Sequence, residues 1–201
     1  MRKLLFVLLF GTMLSLQAQI EVKINPISTI MGAADIQGEY LLNENFGVEL
    51  SLQPFFGKAY AFLNSEDYDG TQSGFAEKLR AKYYYSPYNG GDQWYVDIFA
   101  VNLSVDYTRE YSGDIGSGDY VDDLIETFKQ SYTGIGFEAG AKKVTDTGFI
   151  FEYSLGIGTY LSSDFQIIPD SRDTDRDIDK VKPESVFFSG KLVVGYRFGD
   201  F

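Results

Sequence analysis

The sequence predicts an all-β fold: eight antiparallel strands closed up-and-down into a transmembrane β-barrel. Three observations carry this. Apolar and polar residues alternate with a period of two along segment after segment, the pattern of strands with two unlike faces. Charges keep to one of those faces. In Ser185–Phe198, residues Val186, Phe188, Gly190, Leu192, Val194, Tyr196 and Phe198 form a charge-free face, and Lys191 and Arg197 lie on the other. The chain also opens on an export signal. Arg2 and Lys3 precede the apolar stretch Leu4–Leu16, and Ala18 offers a small residue for cleavage before Gln19. The expected organisation is a signal peptide over 1–18 and one barrel domain over 19–201. The apolar stretch is shorter than the ~20 residues a membrane helix needs, and no Cys sits near the cleavage point to carry a lipid.

The first strand is expected over Ile20–Ile30, with a bulge or break at Pro26, which cannot donate to a ladder. Met31-Gly32-Ala33 turns the chain into Ala34–Leu42, where Ile36, Gly38, Tyr40 and Leu42 alternate with Asp35, Gln37, Glu39 and Leu41. Asn43-Glu44-Asn45 makes a tight turn. Phe46–Phe56 follows, with Val48, Leu50 and Leu52 opposite Glu49, Ser51 and Gln53. After a loop over Gly57–Gly74, the fourth strand, Phe75–Tyr85, sets Leu79, Ala81 and Tyr83 against Lys78, Arg80 and Lys82. Pro87, Asn89, Gly90, Gly91 and Asp92 supply turn chemistry.

The fifth strand, Trp94–Tyr107, has ambiguous facing. Its apolar residues change register near Phe99, which suggests a bulge there. The acidic segment Thr108–Lys129 is expected as a loop, with a short helix over Val121–Lys129. The sixth strand is Ser131–Lys142 and the seventh Phe149–Tyr160. The loop Leu161–Pro183 leads to the last strand. After the first turn, short and long connections alternate, as in barrels with short periplasmic turns and long outer loops. An even strand count puts both termini at the short-turn end.

Composition narrows the function. The chain has 17 Lys+Arg against 29 Asp+Glu. Without Arg2 and Lys3 the balance is 15 against 29, which excludes the basic surface that nucleic acid requires. A mean hydropathy of −0.14 is compatible with a membrane barrel, which need be apolar only at alternate positions.

Alternation alone does not say which face points inward. A soluble lipocalin-like barrel has an apolar inside; a membrane barrel has the reverse. Three features favour the reverse. The polar faces carry complementary charges, Asp35, Glu39, Glu49, Glu138 and Glu152 against Lys78, Arg80, Lys82, Lys142, Lys191 and Arg197, able to pair in a crowded interior. The same faces are rich in Gly (134, 136, 140, 156, 158 and 195), which makes room in a narrow lumen. Aromatics gather at strand ends in two expected girdles. Tyr83, Tyr85, Trp94, Phe149, Tyr196 and Phe198 lie near the short turns. Phe56, Tyr60, Phe75, Tyr107, Tyr132 and Tyr160 lie near the long loops.

With Leu16-Gln17-Ala18-Gln19, Lys23-Ile24-Asn25-Pro26-Ile27, Gly38-Glu39-Tyr40 and the terminal Val194-Gly195-Tyr196-Arg197-Phe198, the chain resembles the small eight-stranded outer-membrane barrels of OmpA-like type. More narrowly, it is similar to the uncharacterised barrels of Bacteroidetes-type bacteria. The resemblance implies a bacterial outer-membrane location with periplasmic termini, and outer-membrane lipid and lipopolysaccharide as surroundings. It also implies a C-terminal aromatic read by the barrel-assembly machinery, with Tyr196, Phe198 and Phe201 as candidates. The resemblance covers the barrel alone, so the peptidoglycan-anchoring role of full-length OmpA-like proteins is not expected.

Barrel enzymes of the outer membrane resemble lipid A acyltransferases, deacylases, phospholipases and proteases that rely on a catalytic His. This chain has no His, so those mechanisms lack their base, and no enzyme activity and no cofactor are expected. A Ser-Lys or carboxylate mechanism stays open. Asp173, Asp175, Asp177, Asp179 and Glu184 match positions 1, 3, 5, 7 and 12 of a calcium loop. Ile178 replaces the turn-making Gly, and Pro183 precedes Glu184, so a solvated charged loop is the simpler reading and a weak surface calcium site the alternative. The expected role is a structural or surface-interaction protein exposing three long loops to an extracellular partner that the sequence does not name. A small-ligand binding or transport barrel is the alternative.

Overall fold

The computed structural model describes residues 19–57, 70–114, 120–172, 178–180 and 185–199. In chain order these hold β1 (Gln19–Ile24), the helical turn α1 (Pro26–Ile30), β2 (Ile36–Leu41), β3 (Phe46–Phe55), β4 (Gly70–Tyr84), β5 (Gln93–Asp114), β6 (Tyr120–Val144), β7 (Phe149–Ile168), β8 (Asp179–Lys180) and β9 (Val186–Phe198). Successive strands pair antiparallel from β1 to β7, β7 pairs with β9, and β9 returns to β1 and closes the barrel. Eight strands form the wall; the two-residue β8 only extends β7's edge at Gln166 and Ile167.

The register fixes the tilt. From Ile150 on β7, cross-strand partners run through Gly195, Lys23, Gln37, Ser51, Lys78, Val101 and Gly134 and arrive at Tyr160. One circuit thus climbs from position 150 to position 160 of the same strand. Such a stagger requires strands strongly inclined to the barrel axis.

Wall height is uneven. β1 and β2 have 6 residues each, whereas β5, β6 and β7 have 22, 25 and 20. The start of β1, the end of β9 and the turns after β2, β4 and β6 lie at one end; α1 lies at the other.

Four sequence expectations are corrected. The first strand stops at Ile24, because Asn25 caps a helical turn by accepting from Ile27 N (3.1 Å) and Ser28 N (3.4 Å), with Pro26 in the first turn, where its missing N–H costs nothing. The acidic segment expected as loop and helix is strand. Within Thr108–Lys129, the described residues continue β5 and β6 as one long hairpin, paired from Thr108↔Thr127 to Asp114↔Tyr120. No register shift occurs near Phe99; the shifts fall between Tyr111 and Gly113 and between Thr133 and Gly134. The loops at Gly57–Gly74 and Leu161–Pro183 are shortened by strand, since β4 begins at Gly70 and β7 runs to Ile168. The signal segment 1–18 lies outside the described residues.

Candidate functional site: a charged plug and an apolar upper wall

The inward residues of every wall strand meet in the lumen and fill it. Nearest the short turns, Arg197 donates to Glu21 through Nη2 (2.6 Å) and Nε (2.9 Å), and ties down the turn after β4 through Asn89 O (2.6 Å). Lys142 shares Glu21 (2.8 Å) and reaches Glu39 (3.3 Å). At the centre, Lys23 donates to Glu39 and Glu152 (both 2.6 Å) and to Glu49. Lys82 donates to the same three carboxylates, at 2.9, 2.7 and 2.6 Å for Glu39, Glu152 and Glu49. The hydroxyls of Tyr84 and Tyr95 donate to Glu39 and to Glu152.

Higher up, Arg80 and Lys191 each hold Glu49 at 2.7 Å, and Lys191 also reaches Glu152. Lys78 donates to Glu138 (2.8 Å) and Ser189 (2.5 Å), and Ser154 and Ser189 donate to Glu138. Asp35, beneath α1, accepts from Asn25, Gln37 and Ser51.

These side chains are almost wholly buried, so the network costs desolvation of every charge and is held by mutual pairing. Removing one partner leaves the buried charges around it under-compensated and out of reach of water. The carboxylates of Glu39, Glu49 and Glu152 lie within 4.8 Å of one another, a spacing that suits a cation. The ammoniums of Lys23 and Lys82 already fill that role, so a metal ion does not fit the cluster without displacing them. Asp97 is the exception: buried and directly opposite Glu138 in the ladder, it has no hydrogen-bond partner for either oxygen among the described residues.

Small residues let this crowding fit. A Cβ at Gly140 would stand 2.7 Å from the Tyr95 ring, and one at Gly136 2.4 Å from Phe99. Phe99 and Phe187 (ring centres 6.1 Å apart), with Tyr132 and Tyr160 against Phe187, form an aromatic layer over the network. Leu41, Tyr84 and Tyr95 cluster at the opposite end.

Above the aromatic layer the polarity of the wall reverses. Lower down, the outward residues of β5, β6 and β7 are apolar and exposed: Trp94, Val96, Ile98, Ile135, Phe137, Leu155 and Ile157. Past Ala100, Ile135 and Ile157 they become Asn102, Ser104, Asp106; Thr133, Ser131, Lys129; and Thr159, Ser162, Asp164. The inward residues there include half-buried Leu103, Val105 and Tyr107, then Phe128 and Tyr132, then Phe165 and Ile167, beside the inward pair Arg109–Glu126 and Gln130. The segment after β7 secures this upper wall. Where β7 ends, Asp170 accepts from the freed Ile125 N (2.8 Å) and from Arg172. The hydrogen bonds from Arg172 and Ile125 hold the Asp170 carboxyl below its ordinary range.

The eleven charged residues singled out from sequence (Asp35, Glu39, Glu49, Lys78, Arg80, Lys82, Glu138, Lys142, Glu152, Lys191 and Arg197) all point into this one lumen. Glu21, Lys23, Asp97, Tyr84 and Tyr95 join them without having been singled out. Glu21 and Lys23 were findable, since they alternate with Ile20, Val22 and Ile24. Of the expected outer girdle, Phe56 and Phe75 face outward; Tyr107, Tyr132 and Tyr160 face inward, a correction that follows from the polarity reversal. Tyr60 lies outside the described residues. The girdle at the short-turn end is outward and exposed, with Phe149 edge-to-face against Tyr196 and Tyr196 edge-to-face against Phe198. β9 ends at Phe198; Phe201 lies outside the described residues. Of the calcium-like loop, Asp179 is described, exposed on β8; Asp173, Asp175, Asp177 and Glu184 are not.

The architecture has a counterpart among solved structures. It is similar to the crystal structure of a major outer membrane protein from Thermus thermophilus, with a TM-score of 0.50 and 14% identity over 90% of this chain and 99% of that one. At that identity the likeness concerns the fold. No protein-family model and no curated protein matches the sequence. The chain therefore has the fold of an outer-membrane protein: an eight-stranded, antiparallel, up-and-down transmembrane β-barrel.

Proposed function

We propose that the protein is an integral component of a bacterial outer membrane, with both termini on the periplasmic side. Its role is structural or one of surface interaction, not conduction or catalysis. The observation that carries this is the filled lumen: Lys23, Glu39, Glu49, Lys82 and Glu152 are fully buried and bonded to one another across the barrel axis. An interior of this kind supports no water path. The tall wall of β5, β6 and β7 is the surface offered to partners outside, and the apolar band meets lipid, with lipopolysaccharide in the outer leaflet. The exposed Tyr196 and Phe198 at the end of β9 suit recognition by the assembly machinery. Lys78, the lysine bonded to a serine hydroxyl, is also bonded to Glu138, and Ser189 itself donates to Glu138, so the pair is part of the interior ion-pair network.

Heat-modifiable migration on SDS gels from an outer-membrane fraction, followed by planar-bilayer recording, tests this reading. The expected result is a mobility shift without channel activity. Recovery as a soluble periplasmic protein, or steady conductance, overturns it.

One observation favours a second reading, a small-ligand barrel. The inward side of the upper wall presents half-buried Leu103, Val105, Tyr107, Phe128 and Phe165 above a closed floor, as an apolar binding cup does. Copurification of a stoichiometric apolar molecule, lost on Tyr107→Asp, would favour it.

A further inference from the structure

Around most of the barrel the apolar outer band is built from strand. On the short side it is not. β1 and β2 have 6 residues each, fewer than the ~9–11 a tilted strand needs to cross a bilayer. The outward apolar series on β1 is Ile20, Val22 and Ile24, and there the strand stops. The flanking walls continue further. β9 carries exposed Leu192, Phe188 and Val186, and β3 carries exposed Leu50, Leu52 and then Phe56 beyond its end.

The stagger of the barrel says what stands in the gap. Trp94 on β5 has Ala141, Tyr153 and Leu192 as successive register partners on β6, β7 and β9. Because Val194 pairs with Ile24, the same line meets the chain after β1 at Pro26. A full circuit climbs ten residues, from 150 to 160, so four of the eight steps climb about five. The start of α1 is therefore level with Ile98–Phe99, at the upper edge of the apolar band.

The side chains fit that position. Ser28 is buried inward, while Ile27, Ile30 and Met31 are 42%, 70% and 41% exposed. The following segment is fixed to the next wall by Ala34 N→Pro54 O (3.0 Å) and Phe56 N→Gly32 O (2.9 Å). Gln72 donates to the carbonyls of Met31 and Gly32 at the end of the turn, and so satisfies the Met31 carbonyl.

We propose that α1 is a lipid-embedded element: Ile27, Ile30 and Met31 lie in the outer leaflet and complete the hydrophobic thickness of the short wall. The partner is the acyl region of the bilayer, and the surface is continuous with the band on β1 and β9. This inference rests on the outer-membrane reading above. Without α1 the apolar band would end ~10 Å lower on this side than on its neighbours.

The test uses single-tryptophan proteins refolded into phosphatidylcholine vesicles with bromines at defined acyl-chain depths. The wild type holds one tryptophan, Trp94, near the short-turn end. The variant Trp94→Phe/Ile30→Trp moves it to α1, and Trp94→Phe/Ile27→Trp is a second placement if the first does not refold. Brominated chains are expected to quench position 30 as strongly as Trp94, with shallow bromines most effective and with blue-shifted emission. Quenching of Trp94 together with a position 30 or 27 that only aqueous acrylamide quenches overturns the embedded α1 and leaves the barrel reading intact. Loss of bromine quenching at Trp94 itself overturns the barrel reading as well.

Discussion

The lower and upper lengths of β5, β6 and β7 follow opposite rules within the same strands. Below, Ile98, Phe137 and Leu155 face out, and Asp97, Glu138 and Glu152 face in. Above, Ser104, Lys129 and Asp164 face out, and Val105, Phe128 and Phe165 face in. The backbone pairing hardly changes across the boundary. What changes is the surrounding medium: lipid around the lower part rewards an apolar exterior, and water around the upper part rewards a polar one. A strand's two faces are thus set by what lies beyond each of them.

This contrast can be broken at its strongest point first. Lys23→Met removes the ammonium shared by Glu39, Glu49 and Glu152 and is expected to cost about 3–5 kcal/mol in reversible urea unfolding in vesicles. A loss near zero would mean that water, not pairing, stabilises the plug. Next, Ile98→Arg on the lower outer face should cost about 2–4 kcal/mol, whereas Ser104→Arg on the same face of the same strand should stay within about 0.5 kcal/mol. Equal costs would move the boundary off Ala100–Asn102.

A smaller effect sharpens the upper half. Phe128→Ala, on the half-buried inner side, should cost about 1–2 kcal/mol, and its outward neighbour Thr127→Ala much less. If the two match, the upper sheet has no preferred side.

The smallest effect concerns pH. Hydrogen bonds from Arg172 lower the Asp170 carboxyl's affinity for protons, so the folded state favours its ionised form. The stabilisation is present above the free-aspartate range and is lost as pH falls through the lower folded value. The protection factor of the Ile125 amide, read by hydrogen exchange, should persist through the ordinary carboxylate range and collapse below it. Asp170→Asn should abolish that acid dependence.

The same contrast explains what the sequence reveals and what it hides. Strand alternation and the charge-free outer face are local patterns, so the barrel and its polar lumen are legible from residues such as Glu39, Lys82 and Lys191. The apparent bulge at Phe99 is the polarity boundary seen in one dimension. Trp94, Val96, Ile98 and Ala100 face out, Val101, Leu103, Val105 and Tyr107 face in, and the apolar series changes parity while the strand runs straight on. Acidic composition disguised the β5–β6 hairpin as a loop for a related reason, because strand propensity there is overridden by tertiary pairing. Glu21 and Lys23 are hard to read because Pro26 cuts their alternation with Ile20, Val22 and Ile24 to five residues, too short a run to assign a face by itself. Which carboxylate meets which ammonium depends on register and shear, and neither is written in any single segment.

The plug also has a temporal meaning. Its bonds join residues far apart along the chain: Arg197 to Glu21, 176 residues away, and Lys23 to Glu152, 129 away. Until β9 meets β1, Glu21 lacks Arg197, and Glu49 and Glu152 lack Lys191. An unclosed barrel therefore leaves Glu21, Glu49 and Glu152 each short of one of the cations that neutralise them. Closing the seam and completing the neutralisation of the interior are thus a single event, in which β9 supplies both the hydrogen-bonded edge and the two missing cations.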